Sequence, residues 1–274
     1  MDGADGAMRR VAAFARRHPV RSTLAATALL SLALWLAPGL DLAVTRAFYV
    51  DGVGFPAAAV PFLRDLRGLG MAAFTWTMVA AALALAVPFL ADGARFLLPP
   101  RAGLFLLAAG AIGPGLLVNG LLKGWWGRAR PATVVDFGGD RAFSGPWVIA
   151  DGCTSNCSFV SGEASSSLLL VGFAMIAPKG WKPAVLAGTL AFSAVMSLNR
   201  IAFGGHFLSD VLIAWCLTLA VLLAVHRAVY GPESRLTDAD LAEALGAAGA
   251  RMRAGLGAAM ARALRFLAIF GRNA

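Results

Sequence analysis

The chain has 274 residues, of which 59% are hydrophobic and 14% charged, and its mean hydropathy is +0.72. Soluble domains carry about 25% charged residues, so that class is excluded and the chain is an integral membrane protein. Its 24 Lys and Arg against 15 Asp and Glu give a net charge of +9. No nucleic-acid-binding motif accompanies that excess, which points to membrane topology and anionic lipid rather than to nucleic acid.

In chain order, residues 1 to 21 form a basic, Gly- and Ala-containing lead, expected as a cytoplasmic arm. Apolar stretches long enough to cross about 30 Å of hydrocarbon follow near 22 to 40, 71 to 91, 102 to 122, 159 to 177, 184 to 203 and 208 to 226. The predicted fold is all-α, a six-transmembrane-helix bundle over 22 to 226. Arg16 and Arg17 precede the first stretch as they would in a signal peptide, but the polar lead is long and no small-residue cleavage site follows. With both termini on one side, that side holds sixteen of the 24 Lys and Arg and the other holds eight. The positive-inside bias therefore places the termini in the cytoplasm.

Between the first two stretches, 41 to 70 carries AFYVDGVGFP and then VPFLRDLRGL, which reads as a short interfacial helix. The connection from 124 to 157 includes Trp125, Trp126 and Trp147, residues that usually anchor at a membrane edge. It also holds Cys153 and Cys157. In an oxidising compartment these form a disulfide, the alternative being two free thiols, and they fall short of a metal ligand set. The tail, 227 to 274, places Leu241, Leu245, Met252, Leu256, Met260, Leu264 and Leu267 at helical intervals among arginines. It is expected as a basic amphipathic helix on the cytoplasmic membrane surface.

Three separated blocks carry the chemistry: Lys123 with Arg130-Pro131, spaced K-x6-R-P; Ser161-Gly162; and Arg200-x5-His206-x3-Asp210. Each lies at the end of an apolar stretch that meets the outer face, so the topology gathers them at one interface. A phosphoryl group leaving an ester needs cations around its oxygens, backbone donors and a steadied nucleophile. Lys123, Arg130 and Arg200 supply the cations. Ser161 and Gly162 supply a helix N-terminus, where free N–H groups suit an anion and Ser also serves as an N-cap. His206 is the expected nucleophile, with Asp210 one helical turn later expected to hydrogen-bond its other ring nitrogen.

These blocks resemble the type 2 phosphatidic acid phosphatase (PAP2) family of metal-independent membrane phosphatases, whose pattern is K-x6-R-P, P-S-G-H and S-R-x5-H-x3-D. Here KGWWGRARP matches fully, NRIAFGGHFLSD has Asn199 for the Ser, and VSGE has Val160 for the Pro and Glu163 where the family places the His that protonates the leaving group. The resemblance covers roughly residues 20 to 226. It implies a lipid phosphomonoesterase that needs no cofactor or metal and works through a phosphohistidine at the periplasmic face of a bacterial inner membrane.

The run CSFVSGEAS most resembles the family's lipid A 4′-phosphatase branch. Phosphatidic acid, phosphatidylglycerol phosphate and undecaprenyl pyrophosphate are the alternative substrates, with a phosphotransferase or an inactive lipid-binding protein as alternative activities. Glu163 has three readings: a general acid with a raised pKa, a charged group contacting Arg128 or the headgroup, or a mark of lost turnover. Arg128, inside the first block, is the accessory candidate.

Overall fold

The computed structural model describes residues 2–91, 96 and 98–270. Met1 and 271–274, at the ends of the expected arm and tail, lie outside the described residues, as does the side chain of Leu267. The chain forms α1 (Asp2–Arg17), α2 (Pro19–Leu36), α3 (Gly39–Arg46), α4 (Pro61–Leu90), α5 (Pro100–Trp125), α6 (Gly162–Ile176), α7 (Lys182–Ala202), α8 (Leu208–Tyr230) and α9 (Asp238–Phe270). Among the described residues only isolated bridges accompany the helices, so the fold is all-α.

Among the described residues five helices, α2, α4, α5, α7 and α8, are long and apolar enough to cross a membrane. The stretch expected as a sixth span near 159 to 177 forms α6, an apolar helix shorter than those five, whose first turns, Gly-Glu-Ala-Ser-Ser-Ser, are polar. A second difference lies in VPFLRDLRGL, which is no separate helix but the first turns of α4, with Pro61 at its start. Pro is pre-organised for a helical first turn, and nothing in the ten residues breaks the ladder. Gly70 is accepted there because α7 comes close, and a Cβ at Gly70 would run into the Met196 sulfur. Arg67 is thereby fixed to the same rigid rod as the membrane span.

α8 is the central post, packed against α2, α5 and α6. Phe105 and Leu106 of α5, Leu169 of α6 and Leu222 of α8 are all buried in one cluster. Ser165 of α6 donates to the Thr218 hydroxyl of α8 at 2.6 Å, while Thr218 donates to the Ala214 carbonyl at 2.7 Å. In α5, Pro114 lacks an N–H, and the helix widens into π geometry over Ala111–Leu122. Asn119 donates from Nδ2 to the Pro114 carbonyl at 2.7 Å, which fixes its side chain near the outer end.

Gly172 shows how tightly this core closes: a Cβ there would sit 3.2 Å from Leu106 and Leu222 and 3.3 Å from Phe105. Gly172→Val is expected to overpack the α5–α6–α8 junction and destabilise the fold by about 1–3 kcal/mol. The thermal midpoint of the purified protein in detergent should fall, and an unchanged midpoint would contradict the packing described.

Candidate active site

At the end of the bundle where α5 closes and α8 begins lies a buried ionic cluster centred on Arg128, which is fully buried. Its Nη1 donates to Asp210 Oδ1 at 2.6 Å and to the Ser209 hydroxyl at 2.8 Å, its Nη2 to Asp41 Oδ2 at 2.8 Å, and its Nε to the Ser144 carbonyl at 2.8 Å. Asp41, one turn into α3, also accepts from the Ser209 N–H at 2.8 Å. Burial pushes the Asp41 carboxyl up and Arg128 pulls it back down, leaving it raised. One guanidinium thus ties together α3, the long outer connection and the first turn of α8. An Arg fork suits two carboxylates and a carbonyl at once, which a Lys could not do.

Asp210 is held twice more, by the Ser158 hydroxyl at 2.6 Å and the Phe207 N–H at 2.8 Å, both to Oδ2. His206 lies two residues before α8 and is 1% exposed. Its Nδ1 is 2.7 Å from the Ser158 carbonyl and 3.8 Å from Asp210 Oδ2. The expected Asp210–imidazole hydrogen bond is therefore replaced by one to the Ser158 carbonyl, because Arg128, Ser158 and Phe207 already claim the carboxylate. A carbonyl only accepts, so Nδ1 carries the proton and Nε2 keeps its lone pair. Among the described residues Nε2 has no hydrogen-bond partner.

Arg200 and Lys123 are near enough to act on the ring, and Arg130 is near Lys123. Arg130 donates from Nε and Nη2 to the Asn156 carbonyl at 3.1 and 2.7 Å, next to a disulfide that joins Cys153 and Cys157. Lys123 makes no hydrogen bond or ion pair among the described residues. It comes so close to α6 that a Cβ on Gly162 would lie 3.3 Å from its Nζ and 2.6 Å from Asn119 Oδ1. Ser161 caps α6, accepting from the Ala164 N–H at 3.3 Å, and its own N–H donates to the Asp210 carbonyl at 3.1 Å. Arg200 is buried with its guanidinium against Gly205, where a Cβ would displace it.

Glu163 does not meet Arg128. Arg67 of α4 forks onto its carboxylate, Nε at 3.1 Å from both oxygens and Nη2 at 2.8 Å from Oε1, and Arg200 Nε stands 3.2 Å from Oε2. Such acceptor-only geometry matches an ionised carboxylate. A cavity of about 370 Å³ opens here. Arg67, Lys123, Arg130 and Glu163 line its polar end, and Met71, Phe74 and Met196 its apolar end within the spans. Arg200 and His206 do not line it; Glu163, ion-paired to Arg200, does.

Of the residues the sequence singled out, Lys123, Arg130, Gly162 and Glu163 line the cavity, while Arg128, Ser161, Arg200, His206 and Asp210 do not, and Glu163, Asp210 and Arg128 have partners other than those expected. Arg67, Asp41 and Ser158 were missed, since their partners are 96, 87 and 52 residues away. The only sequence signal for Arg67 was its place on the sparsely charged outer side. Of the three tryptophans, Trp125 is exposed, but Trp126 and Trp147 pack on each other and on Phe159, with ring centroids 4.8–5.7 Å apart. They are the inner packing of the outer connection rather than membrane anchors.

Residues 101–232 match the PAP2 superfamily. The lipid A 4′-phosphatase of Rhizobium leguminosarum is 45% identical over 114 residues, 42% of this chain and 49% of that protein. The lipid A 4′-phosphatase of Francisella tularensis subsp. novicida (strain U112) is 40% identical over 119 residues, 43% of this chain and 54% of that protein. The chain thus spans about half the length of the relatives it matches. The crystal structure of the first transmembrane PAP2 type phosphatidylglycerolphosphate phosphatase, from Bacillus subtilis, superposes with a TM-score of 0.53 at 19% identity, covering 76% of this chain and 94% of that one. That likeness is one of fold.

Asp41→Ala and Arg128→Met, each alone, are expected to destabilise the protein by about 3–5 kcal/mol, because each leaves a buried charge short of its partner. Together they should cost less than the sum; additive losses in unfolding experiments would contradict the shared cluster. His206 gives a pH prediction: burial pushes its imidazole down to about 4, against the pull of Asp210. The folded protein keeps it neutral above about pH 4 while the unfolded chain protonates near about 6.5. Acidification through that window therefore favours unfolding. Its ring resonances should not titrate between about pH 5 and 8, and a midpoint near 6.5 would contradict the burial.

Proposed function

We propose that this chain, which carries a PAP2 superfamily domain over residues 101–232, is a lipid phosphatase that removes a phosphomonoester at the periplasmic face of a bacterial inner membrane. The observation that carries the reading is His206: Nδ1–H held by the Ser158 carbonyl and Nε2 without a partner among the described residues, with Arg200 and Lys123 near enough to act on the ring and Arg130 near Lys123. Support for a lipid substrate comes from the cavity, cationic at its outer end and apolar along α4 and α7, which fits a phosphate headgroup above an acyl chain. The lipid A 4′-phosphatase names of the similar proteins make the 4′-phosphate of lipid A the first substrate to test. The excess of Lys and Arg on the side of the termini supports a cytoplasmic placement for both.

In the mechanism, Lys123, Arg130 and Arg200 clamp the phosphoryl oxygens, aided by backbone N–H groups at the start of α6. His206 Nε2 attacks phosphorus, and the ester P–O bond breaks as the N–P bond forms. The leaving oxygen takes its proton from water. The hydroxide left behind attacks the phosphohistidine, releasing phosphate and restoring the neutral ring. Asp210 steadies the imidazolium charge through space and fixes Ser158, which fixes the ring. No divalent metal takes part.

Glu163 acts as a charged gate rather than as the acid. Its carboxylate occupies Arg200 at rest, where the substrate phosphate must go, and Arg67 retains it when it moves aside. Counting Arg67, the site holds four cations against this carboxylate and still attracts a dianion. The same Glu163–Arg200 pair favours a second reading, an inactive lipid-binding protein. Phosphate release from lipid A and a panel of phospholipids by the purified protein separates the two.

The role of Glu163 is tested by leaving group. Glu163→Gln should change the rate by a similar, modest factor on the lipid and on p-nitrophenyl phosphate, since neither relies on its proton. A loss of about 10²–10⁴ confined to the lipid would restore Glu163 as the general acid. His206→Ala should abolish both activities.

A further inference from the structure

α9 is anchored at its start and solvent-exposed over its second half. Thr237 caps its start, accepting from the Asp240 N–H at 3.1 Å, and the Asp238 carboxylate accepts from the Arg101 N–H at 2.9 Å at the head of α5. Farther along, Gly249 lies so close to the Pro88 carbonyl that a Cβ would not fit, and Arg253 donates to the same carbonyl. Pro88 closes the last turn of α4, at the end of a membrane span remote from the phosphate site. Beyond this contact every residue from 254 to 266 is exposed.

The exposed half is two-faced. At about 100° per residue, Met252, Leu256, Met260 and Leu264 fall within about 120° of one another. They are 42%, 62%, 67% and 61% exposed. Arg251, Arg262 and Arg265 lie on the opposite side. Gly249 and Arg253, the residues that meet the end of α4, fall on the apolar side. The face turned toward the membrane span is therefore the face that continues as an apolar stripe past the bundle. The charge is equally one-sided: after Glu243 the sequence has no acidic residue to Ala274, but has Arg251, Arg253, Arg262, Arg265 and Arg272.

We infer that the second half of α9 is a docking surface for anionic lipid, lying along the leaflet opposite the phosphate site with Met252, Leu256, Met260 and Leu264 in the interface. Two independent features choose a bilayer over a protein. The stripe is continuous with the edge of a membrane span, and Arg251, Arg262 and Arg265 on the opposite side, in a stretch of sequence with no acidic residue after Glu243, complement a negative lipid surface. Protein partners would meet a stripe that the span end already aims into lipid.

Depth measurements on the full chain test this. Nitroxide labels are placed at Met260→Cys or Arg262→Cys in a Cys216→Ser background, with one protein per nanodisc. In discs containing phosphatidylglycerol, a water-soluble relaxant should reach position 260 several-fold less than 262. Discs of phosphatidylcholine alone, high salt, or Arg251→Glu with Arg265→Glu should narrow that difference. Equal access at both positions in the anionic discs would overturn the inference. So would protection at 260 that ignores lipid charge and survives charge reversal, or protection that arises in detergent only as protein concentration rises, the mark of a second copy.

Discussion

The outer half of the molecule depends on a single buried guanidinium. Arg128 is removed from water and balanced by Asp41 and Asp210, with Ser209 and the Ser144 carbonyl using its remaining donors. An unpaired ion at that depth would cost several kcal/mol, so α3, the outer connection and α8 can close together only with all these partners present. The closure has a chemical consequence. With Asp210 committed to Arg128, Ser158 and the Phe207 N–H, the His206 ring is oriented by the Ser158 carbonyl, which leaves Nε2 unprotonated with its lone pair free. A structural ion pair and the proposed nucleophile are thus two ends of one hydrogen-bonded chain.

A second balance operates at the cavity. A carboxylate among phosphate-binding cations would weaken anion binding unless another cation came with it, and Arg67 is that cation. It arrives from α4, so Glu163 is spanned between Arg67 and the buried Arg200. In the proposed mechanism this pairing makes Glu163 a placeholder for phosphate. It also resolves the opposed pulls that the sequence alone left standing: burial favours the neutral acid, while a forked guanidinium and a second arginine favour the ion. Two arginines at close range outweigh partial burial.

What the sequence revealed and what it hid follow from the range of the forces involved. Apolar length and the spacing of K-x6-R-P and R-x5-H-x3-D made the helical membrane class and the gathering of cations at one end legible, because both are local patterns. Partner choice was not legible. Arg128 looked like a neighbour for Glu163 on proximity of motifs, yet it turned inward to Asp41, a carboxylate just past an apolar stretch with nothing local to distinguish it. Arg67 was hidden for a related reason: VPFLRDLRGL read as a separate interfacial helix, and only its fusion with the following span aims that arginine at α6. The apolar stretch near 159 to 177 looked like a full span by composition, but its polar opening turns belong to the site.

The central claim is that His206 attacks phosphorus and carries the phosphoryl group before water does. Two successive in-line displacements retain configuration at phosphorus, whereas one direct attack by water inverts it. Turnover of a substrate whose phosphate is chiral in its oxygen isotopes, with methanol as acceptor so that the product's configuration can be read, is the most direct measurement. The account predicts retention, with base-stable phosphate trapped on the His206 peptide after rapid quench. Inversion, with no phosphoryl group on His206, would contradict it.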